Sequence, residues 1–434
     1  MNEFLLISPV LSVSVLAIVA ILLDAINPKN TKLGFSFALI ALITSLGFSV
    51  LGLNSSQEWL IGFDSANSLT NDTLSFAGYT YFYDILFSIS AIFTLLASKP
   101  YLTRENLESS EYYNLILFAV AGMMMIAHTK HMFTTFVGIE TMSVTFYIMA
   151  GYFRFNKKSV ESALKYFLLG AFATGFLVYG MAMIYGATGS FHLTEIRDAI
   201  ASGDVSSWLY LKLGLGLIIV GLSFKIAAFP FHQWAPDVYS GSPTVVTAFM
   251  STAGKAAAVI AFIIIATSLM PVTEVAEVVA NTENAQVVIA VISALTMLIG
   301  NISALLQKNV KRMLAFSSVA HAGYLLMGIV ANSSDGFRGM TFYITAYLFM
   351  QIGSFVIVSV LEREKEKNVE FSDYRGLWKS NPWLAAIMAI FMFSLAGLPP
   401  MAGFFGKYLL FAATLKAGFV SLVIVAVISS IISM

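Results

Sequence analysis

Apolar runs of about 20 residues recur along this chain, separated by short polar stretches. A helix needs about 20 mostly apolar residues to cross a bilayer core about 30 Å thick. The runs are continuous rather than alternating, so they predict helices and not the strands of a barrel. We place spans at 4–23, 33–53, 79–97, 113–127, 132–151, 160–185, 210–229, 243–269, 286–304, 310–330, 339–361, 382–414 (interrupted) and 418–434. The pattern predicts an all-α polytopic membrane protein.

The composition agrees with this class and narrows the function. Of 434 residues, 58% are hydrophobic and only 11% are charged, against roughly 25% charged residues in soluble domains. The chain has no cysteine, which excludes an iron–sulfur cluster or a thiolate-bound metal held by this chain alone. The formal charge is zero, so nothing indicates a nucleic acid partner.

The basic residues of the connections predict the orientation. With the N-terminus outside, the inner connections carry 15 basic residues and the outer connections carry 4. Inner connections of membrane proteins are enriched in Lys and Arg. The start of the chain lacks the basic region of a secretory signal, so we expect the first span to be retained.

A few ionisable residues lie inside the predicted spans. The connections leave five lysines unassigned, and Lys212 stands close enough to a span end to reach the interface. The remaining lysines are accompanied by Glu140, and each such charge near a helix centre costs roughly 2.5–3.5 kcal/mol on insertion scales. A chain that only sat in lipid would not retain them. The lysines are Lys165, Lys225, Lys255 and Lys407.

Several of these residues also have plain structural interpretations. Lys165 can reach the interface or pair with Glu161 one helical turn away. His321, in "SSVAHAGYLLMG", is either a proton carrier or a histidine that hydrogen-bonds between helices. Asp84 is expected at the outer interface.

Two apolar runs are interrupted by proline and glycine, at "KIAAFPFHQWAP" and "SLAGLPPMAGFFGKY". Pro230 in the first, and Pro399 with Pro400 in the second, remove backbone donors and leave polar backbone that lipid cannot satisfy. A single such proline could be a simple kink. These two breaks lie five spans apart, in helices of opposite direction, which is typical of an inverted repeat with its working site at the broken helices.

The chemistry of these groups favours proton transfer. Glu, Lys and His side chains in series across a membrane form proton relays, and desolvation lets a buried lysine lose its proton more readily. The sequence lacks a dinucleotide fingerprint, a P-loop, a nucleophile elbow and a histidine–carboxylate metal spacing. The chain is predicted to move an ion rather than to break bonds.

The segments that carry these residues resemble a known family. "ALKYFLLGAFATGFLVYGMAMIYGATGS", "FKIAAFPFHQWAPDVYSGSPTVVTAFMSTAGKAA", "NVKRMLAFSSVAHAGYLLMG" and "FSLAGLPPMAGFFGKY" closely resemble subunit N of the bacterial proton-translocating NADH–quinone oxidoreductase, respiratory complex I. The resemblance covers roughly residues 100–434. "PDVYSGSP" followed by "STAGKAA" is similar to the N type rather than the L or M types.

The resemblance implies an antiporter-like fold of fourteen helices with two inverted five-helix repeats. Residues 1–112 would hold helices 1–3, residues 113–270 the first repeat and residues 286–434 the second. About thirteen spans are visible, because the chain ends inside the apolar run that begins near Gly418. We therefore expect a truncated C-terminus.

The resemblance also implies roles for the buried groups. Glu140 and Lys165 would form a gate, and Lys225 would stand next to the first break. His232 and Lys255 would lead to Lys407, the terminal lysine of the axis. His321 remains a candidate proton carrier.

The family further implies that this chain holds no cofactor. NADH, FMN, iron–sulfur clusters and quinone would bind other subunits, and the partners would be neighbouring antiporter-like and small membrane subunits in the bacterial inner membrane. Two alternatives stay open. The chain could be a subunit of a multi-subunit cation/proton antiporter with the same fold, or a structural spacer whose buried charges only hold helices together.

Overall fold

The computed structural model describes residues 3–27, 30–55, 75, 77–271, 275–362 and 369–434. Within these ranges, eleven helical segments are long and apolar enough to cross a membrane, and Pro382–Ala396 and Val420–Ser433 are shorter apolar helices. The prediction of an all-α polytopic membrane protein is confirmed. Lys29, Arg363, Lys365 and Lys367 of the predicted inner connections, and most of the first outer connection, lie outside the described residues.

The helices of the first half follow the predicted spans closely. They are α1 Glu3–Ile26, α2 Thr31–Ser55, α3 Gly78–Arg104, α4 Ser110–His128, α5 Met132–Ala150, α6 Lys157–Thr188, α7 Leu193–Ser202, α8 Trp208–Lys225, α9 Trp234–Gly241, α10 Thr244–Phe249 and α11 Lys255–Leu269. The short helix α7 was not predicted, because it is amphipathic and has only 10 residues. A π-helical turn, Met250–Gly254, joins α10 and α11 into one span.

The helices of the second half are α12 Ala276–Leu305, α13 Val310–Ala331, α14 Ser334–Leu361, α15 Leu377–Ser380, α16 Pro382–Ala396, α17 Ala402–Lys416 and α18 Val420–Ser433. Helix α12 begins ten residues before the predicted position 286. Its first turns carry Glu277, Asn281 and Glu283, so hydropathy assigned them to a connection although the helix continues through them.

Both predicted helix breaks are present, and the protein satisfies backbone at each. In the first, Ala227 adopts a left-handed conformation with φ 61°, and the backbone N–H of Phe229 donates to Thr296 Oγ1 of α12 at 2.9 Å. In the second, Gly397 ends α16 with φ 89°, and the N–H of Gly403 donates to Ser394 Oγ at 3.2 Å. Protein therefore replaces part of the lost helical hydrogen bonding, as the sequence predicted.

Equivalent backbone bridges occur in the two halves of the chain. His131, immediately before α5, forms an isolated backbone bridge with His192, and Asn309, immediately before α13, forms one with Glu370. In the predicted topology α5 starts at the outer face and α13 at the inner face. The two bridges therefore lie at opposite faces, which agrees with inverted repeats.

The span of α10 and α11 forms the centre of the molecule. Every residue from Thr244 to Ile265 is buried, while α6 and α12 leave most of their surface exposed. The π-helical turn ends directly before Lys255, and such turns occur frequently at functional sites. The fold thus places one lysine at the middle of the bundle.

Helices α4 and α5 approach each other through two glycines. A Cβ atom on Gly122 would lie 2.8 Å from the carbonyl oxygen of Gly138, and a Cβ on Gly138 would lie 2.8 Å from the carbonyl oxygen of Gly122. Neither backbone can yield without moving a helix. This contact holds Glu140, two residues beyond Gly138, at a defined distance from the core.

We expect Gly138→Val to destabilise the protein, because the added carbons must push α4 and α5 apart. Overpacking of this kind costs about 1–3 kcal/mol, and thermal unfolding of the detergent-solubilised protein measures it. Gly175→Val in α6 is the matched control, since a Cβ there meets nothing within 4 Å. Equal unfolding temperatures for the two variants would contradict the tight α4–α5 contact.

Candidate functional site

Lys225 forms the first buried ion pair, at the last residue of α8. Its Nζ lies 3.4 Å from Glu140 Oε1 and donates to Ser143 Oγ at 2.8 Å. Thr174 Oγ1 donates to the same carboxylate oxygen at 2.8 Å. The Lys225 side chain is 5% exposed and that of Glu140 is 26% exposed. An ammonium at a helix C-terminus also gains from the partial negative charge of the helix end.

Lys165 is not near Glu140, so the predicted Glu140–Lys165 pair is absent from this structure. Its Nζ instead contacts Glu161 at 2.8 Å and Asp237 at 2.9 Å. The pair is absent because Lys165 and Glu140 lie at different levels along the helix axes. Thr174, which contacts Glu140, lies nine residues beyond Lys165, or about 13 Å along a helix that rises 1.5 Å per residue. The side chain of Lys165 cannot span that distance, whereas its pairing with Glu161 at i−4 is confirmed.

His232 occupies the first break, between α8 and α9. Its ring centroid lies 5.7 Å from that of Phe229. Nδ1 is buried and makes no hydrogen bond within the described ranges. Buried polar atoms are nearly always paired with protein or water. His232 therefore has hydrogen-bonding capacity to spare, seven residues after Lys225 in the chain.

Lys255 is bound by neutral groups. Its Nζ donates to the carbonyl oxygen of Ser318 and, at 2.5 Å, to Ser318 Oγ. It also lies 5.5 Å from the ring centroid of Tyr347, whose hydroxyl donates to Ser318 Oγ at 2.8 Å. No carboxylate contacts Lys255 among the residues that the structure describes. The side chain is 2% exposed, so this ammonium is desolvated and held only by neutral oxygens and a ring face.

His321 continues the chain from Lys255 toward α17. Its Nδ1 lies 2.5 Å from the hydroxyl of Tyr343, and its ring centroid lies 5.0 Å from that of Tyr347. The ring of Tyr324 lies 6.1 Å away on the same helix. His321 is thus both an interhelical hydrogen-bonding residue and the middle of a polar series, so the two alternatives from the sequence do not exclude each other.

Lys407 closes the series at the second break. Its Nζ donates to the carbonyl oxygen of Ala396 at 2.8 Å and to Ser430 Oγ at 3.1 Å. The same nitrogen lies 4.6 Å from the ring centroid of Tyr324. Ala396 is the last residue of α16, so Lys407 places its charge at the negative end of a half-helix. Its side chain is 3% exposed.

Sequence reasoning found the charged members of this series and missed the neutral ones. Spacing could have indicated some of them, because Ser318 and His321 stand at i, i+3 on α13, while Tyr343 and Tyr347 stand at i, i+4 on α14. Asp237 carried the plainest signal, as an acid eight residues after Phe229 in a broken membrane helix, and was given no role. The neutral members are Ser143, Thr174, Ser318, Tyr324, Tyr343 and Tyr347.

A second buried pair lies apart from this series, near the start of α3 and the end of α4, at the outer end of the span where the sequence places Asp84. Asp84 of α3 is 0% exposed and His128 of α4 is 1% exposed. His128 Nε2 lies 2.7 Å from Asp84 Oδ2, and Nδ1 lies 2.8 Å from the carbonyl oxygen of Ser75. Both acceptors are satisfied when both ring nitrogens carry a proton. Hydropathy located Asp84 near a span end but could not show that α4 covers it.

We expect His128→Ala to lower the free energy of unfolding by about 3–5 kcal/mol, because it leaves the Asp84 carboxylate buried without its partner. Adding Asp84→Asn should recover part of the loss by removing the charge. Denaturant unfolding in detergent measures both. Glu277→Gln is the control, since its pair with Lys212 is half exposed and should change stability by less than about 1 kcal/mol. A His128→Ala variant no less stable than that control would contradict the buried pair.

Two broken helices, related by inverted topology, and a series of buried cations between them define an antiporter-like membrane subunit. The family model described as NADH:quinone oxidoreductase/Mrp antiporter, TM, matches residues 129–433. NADH-quinone oxidoreductase subunit N 1 from Chloroherpeton thalassium is 41% identical over 434 residues, which is 100% of this chain and 87% of that protein. The chain therefore belongs to the subunit N family of NADH-quinone oxidoreductases.

Solved structures agree with this assignment. A chain of respiratory complex I from Thermus thermophilus with bound aureothin aligns with TM-score 0.79 and 32% identity, covering 98% of this chain and 87% of that one. A chain of the Mrp complex from Dietzia aligns with TM-score 0.83 and 23% identity, covering 100% and 78% respectively. The second likeness concerns the fold alone.

Proposed function

We propose that this chain carries protons through the membrane as the subunit N of a complex I, along the series from the Glu140–Lys225 pair to Lys407. His232 links Lys225 to the central Lys255. Ser318, Tyr347 and His321 connect Lys255 to Lys407. Quinone reduction elsewhere in the complex drives the transfer.

The observation that carries the proposal is the contrast among the three lysines of this series, Lys225, Lys255 and Lys407. Lys225 has a carboxylate partner, whereas within the described ranges Lys255 and Lys407 contact only neutral oxygens and aromatic faces. Charges placed only to hold helices together would be paired, because an unpaired buried charge is strongly destabilising. Lysines ligated by neutral groups can exist with or without their protons. That is the requirement for a relay.

The interaction energy of the Glu140–Lys225 pair is large enough for the pair to act as a gate against the membrane potential. Moving one elementary charge against 100 mV requires about 2.3 kcal/mol. Making or breaking the contact between a buried ammonium and its carboxylate changes the energy of the charged form by several kcal/mol. A change in the position of Glu140 is therefore sufficient to shift a proton from Lys225 toward His232. The gate of this chain is then Glu140 with Lys225 rather than with Lys165.

In this proposal the redox chemistry belongs to other subunits. NADH, FMN, iron–sulfur clusters and quinone bind elsewhere in the complex, and this chain contacts neighbouring antiporter-like and small membrane subunits. The protein resides in the bacterial inner membrane with its N-terminus outside, as its basic residues predict. The helical divisions 1–112, 113–270 and 286–434 serve as the N-terminal helices and the two repeats.

A multi-subunit cation/proton antiporter is the second candidate, since the matched family includes Mrp antiporters. Sodium-dependent proton exchange by reconstituted protein, without NADH, would favour it. Copurification with peripheral iron–sulfur subunits in mild detergent would favour complex I.

Replacing Lys225 by Ala should uncouple proton transfer from electron transfer, because it removes the cation next to the first break. In inverted vesicles, proton uptake per NADH oxidised should fall at least threefold, because a positioned proton-transfer group contributes about 10²–10⁴-fold to a rate. NADH oxidation by an artificial acceptor should stay unchanged. The matched control is Lys212→Ala on the same helix, whose side chain is 51% exposed and pairs with Glu277 at 3.2 Å.

An unchanged proton yield in the Lys225→Ala complex would refute the relay. Full assembly and full pumping by Lys225→Met as well would support the structural-spacer alternative, in which the buried charges only hold helices together.

Ser318→Ala tests the connection between Lys255 and His321. It removes the hydroxyl that Lys255 and Tyr347 share, so we expect a reduced proton yield in an assembled complex. Ser354→Ala in α14 is the control, because that buried hydroxyl donates only to Met350 of its own helix. Proton yields that fall equally in both variants would show a general packing effect instead.

A further inference from the structure

We propose that Asp237 is a positioning residue for proton transfer, whose carboxylate locks the first broken helix to both halves of the molecule. Asp237 Oδ2 accepts from Lys165 Nζ of α6 at 2.9 Å, and Oδ1 accepts from Arg312 Nη1 of α13 at 2.8 Å. Both oxygens of one side chain are thus used by cations from different helices. This inference rests on the proposed function, because it assigns the lock a role in the same relay.

The two helices that hold Asp237 each carry a contact of the relay. Nine residues beyond Lys165, Thr174 of α6 donates to Glu140. Six residues beyond Arg312, Ser318 of α13 accepts from Lys255. A carboxylate that fixes α6 against α13 therefore sets the distance between the first and second parts of the series.

The helix that bears Asp237 also contacts the relay directly. Three residues before Asp237, Trp234 Nε1 donates to the carbonyl oxygen of Phe224 at 3.1 Å. Phe224 immediately precedes Lys225 at the end of α8. The ring of Trp234 stacks on that of Tyr166, with centroids 4.5 Å apart, and Tyr166 follows Lys165 in α6. Displacement of α9 would therefore move the backbone that orients Lys225.

The two breaks carry an ionisable residue at the same distance from their prolines. Ala227 and Gly397 adopt left-handed conformations three residues before Pro230 and Pro400. Seven residues after each of these prolines stand Asp237 and Lys407. Each break is thus followed by an ionisable residue at the same distance, acidic in one half and basic in the other. Lys407 reaches back to its own broken helix, whereas Asp237 reaches across to neighbouring helices.

Water can reach the Asp237 carboxylate while Lys225 remains covered. Asp237 lines a cavity of about 290 Å³ together with Lys165, Lys311 and Arg312. In the predicted topology this cavity lies at the inner face, since α13 begins beside it with Asn309 as its cap. The side chain of Asp237 is 35% exposed, against 5% for Lys225.

The ion pairs of Asp237 are partly exposed, so their effect on the relay can be tested without a large loss of stability. Lys165 and Arg312 are 41% and 38% exposed, and ion pairs of such exposure contribute little to folding. Lys165 also keeps its contact with Glu161. Loss of the Asp237 carboxylate should therefore leave the subunit folded and assembled, with the effect confined to the precision of the relay.

The first experiment replaces Asp237 by Asn in the intact complex. We expect proton uptake per NADH oxidised in inverted vesicles to fall roughly threefold to tenfold, as for loss of a positioning group. Complex assembly and NADH oxidation by an artificial acceptor should not change, and Asp237→Glu should restore most of the yield. Asp335→Asn is the matched control, because Asp335 pairs with Lys416 at 2.8 Å, more exposed and away from the relay.

The absence of cysteine from the chain allows a chemical rescue. Asp237→Cys should pump as poorly as Asp237→Asn, and iodoacetate should restore pumping by adding a carboxylate to the introduced thiol. Iodoacetamide, which adds a neutral amide of similar size, should not restore it. The unsubstituted complex treated with each reagent controls for thiols of other subunits. Restoration by both reagents, or no loss in Asp237→Asn, would overturn the inference.

The outcome for Lys225→Ala separates this inference from the proposed function. A proton yield lost in Lys225→Ala and unchanged in Asp237→Asn would refute the role of Asp237 and leave the relay standing. An unchanged yield in Lys225→Ala would refute the relay itself, and with it the role assigned to Asp237.

Discussion

The structure depends on one constraint, which is that the hydrocarbon core of a membrane cannot satisfy a polar group. Most helices satisfy their backbone polar groups through their own internal hydrogen bonds. The two broken helices cannot, and each is completed by side chains such as Thr296 and Ser394. Lys407 meets the same constraint by donating to the carbonyl oxygen of Ala396 at the second break, whereas Lys225 and Lys255 bind oxygens within α5 and α13. At the second break the cation and the interrupted backbone therefore partly satisfy each other.

The ends of half-helices make this coupling specific. Lys225 is the last residue of α8, and the Nζ of Lys407 contacts the last carbonyl of α16. A helix C-terminus carries about half a negative charge, which stabilises an ammonium without a carboxylate and without fixing the proton as firmly as a carboxylate would. Lys255 follows a π-helical turn instead and takes its acceptors from Ser318 of α13. The three lysines thus have three kinds of environment, although the sequence around each of them predicts only an apolar helix.

The sequence was sufficient for the class, for most of the spans and for the lysines of the proposed relay, because hydropathy and insertion cost are local properties. It was also sufficient for the breaks, since proline acts on its own helix. It failed where contacts depend on the axial offset between helices. Both Glu140 and Lys165 lie in apolar runs, yet α6 passes α5 with Thr174 rather than Lys165 at the level of Glu140. The burial of Asp84 was missed for a related reason, because it depends on α4.

Different residue types at equivalent positions prevent the two halves of the molecule from working identically. In the first half a carboxylate faces Lys225, and the acid after the break, Asp237, is already shared by Lys165 and Arg312. In the second half the residue at the equivalent position is itself the cation, Lys407, and its partners are neutral. A proton held at Lys225 is stabilised by a charge, whereas one held at Lys255 or Lys407 is stabilised by dipoles and ring faces alone. In the proposed relay, a proton is therefore held by different interactions at the two ends of the series, and the two repeats are not equivalent.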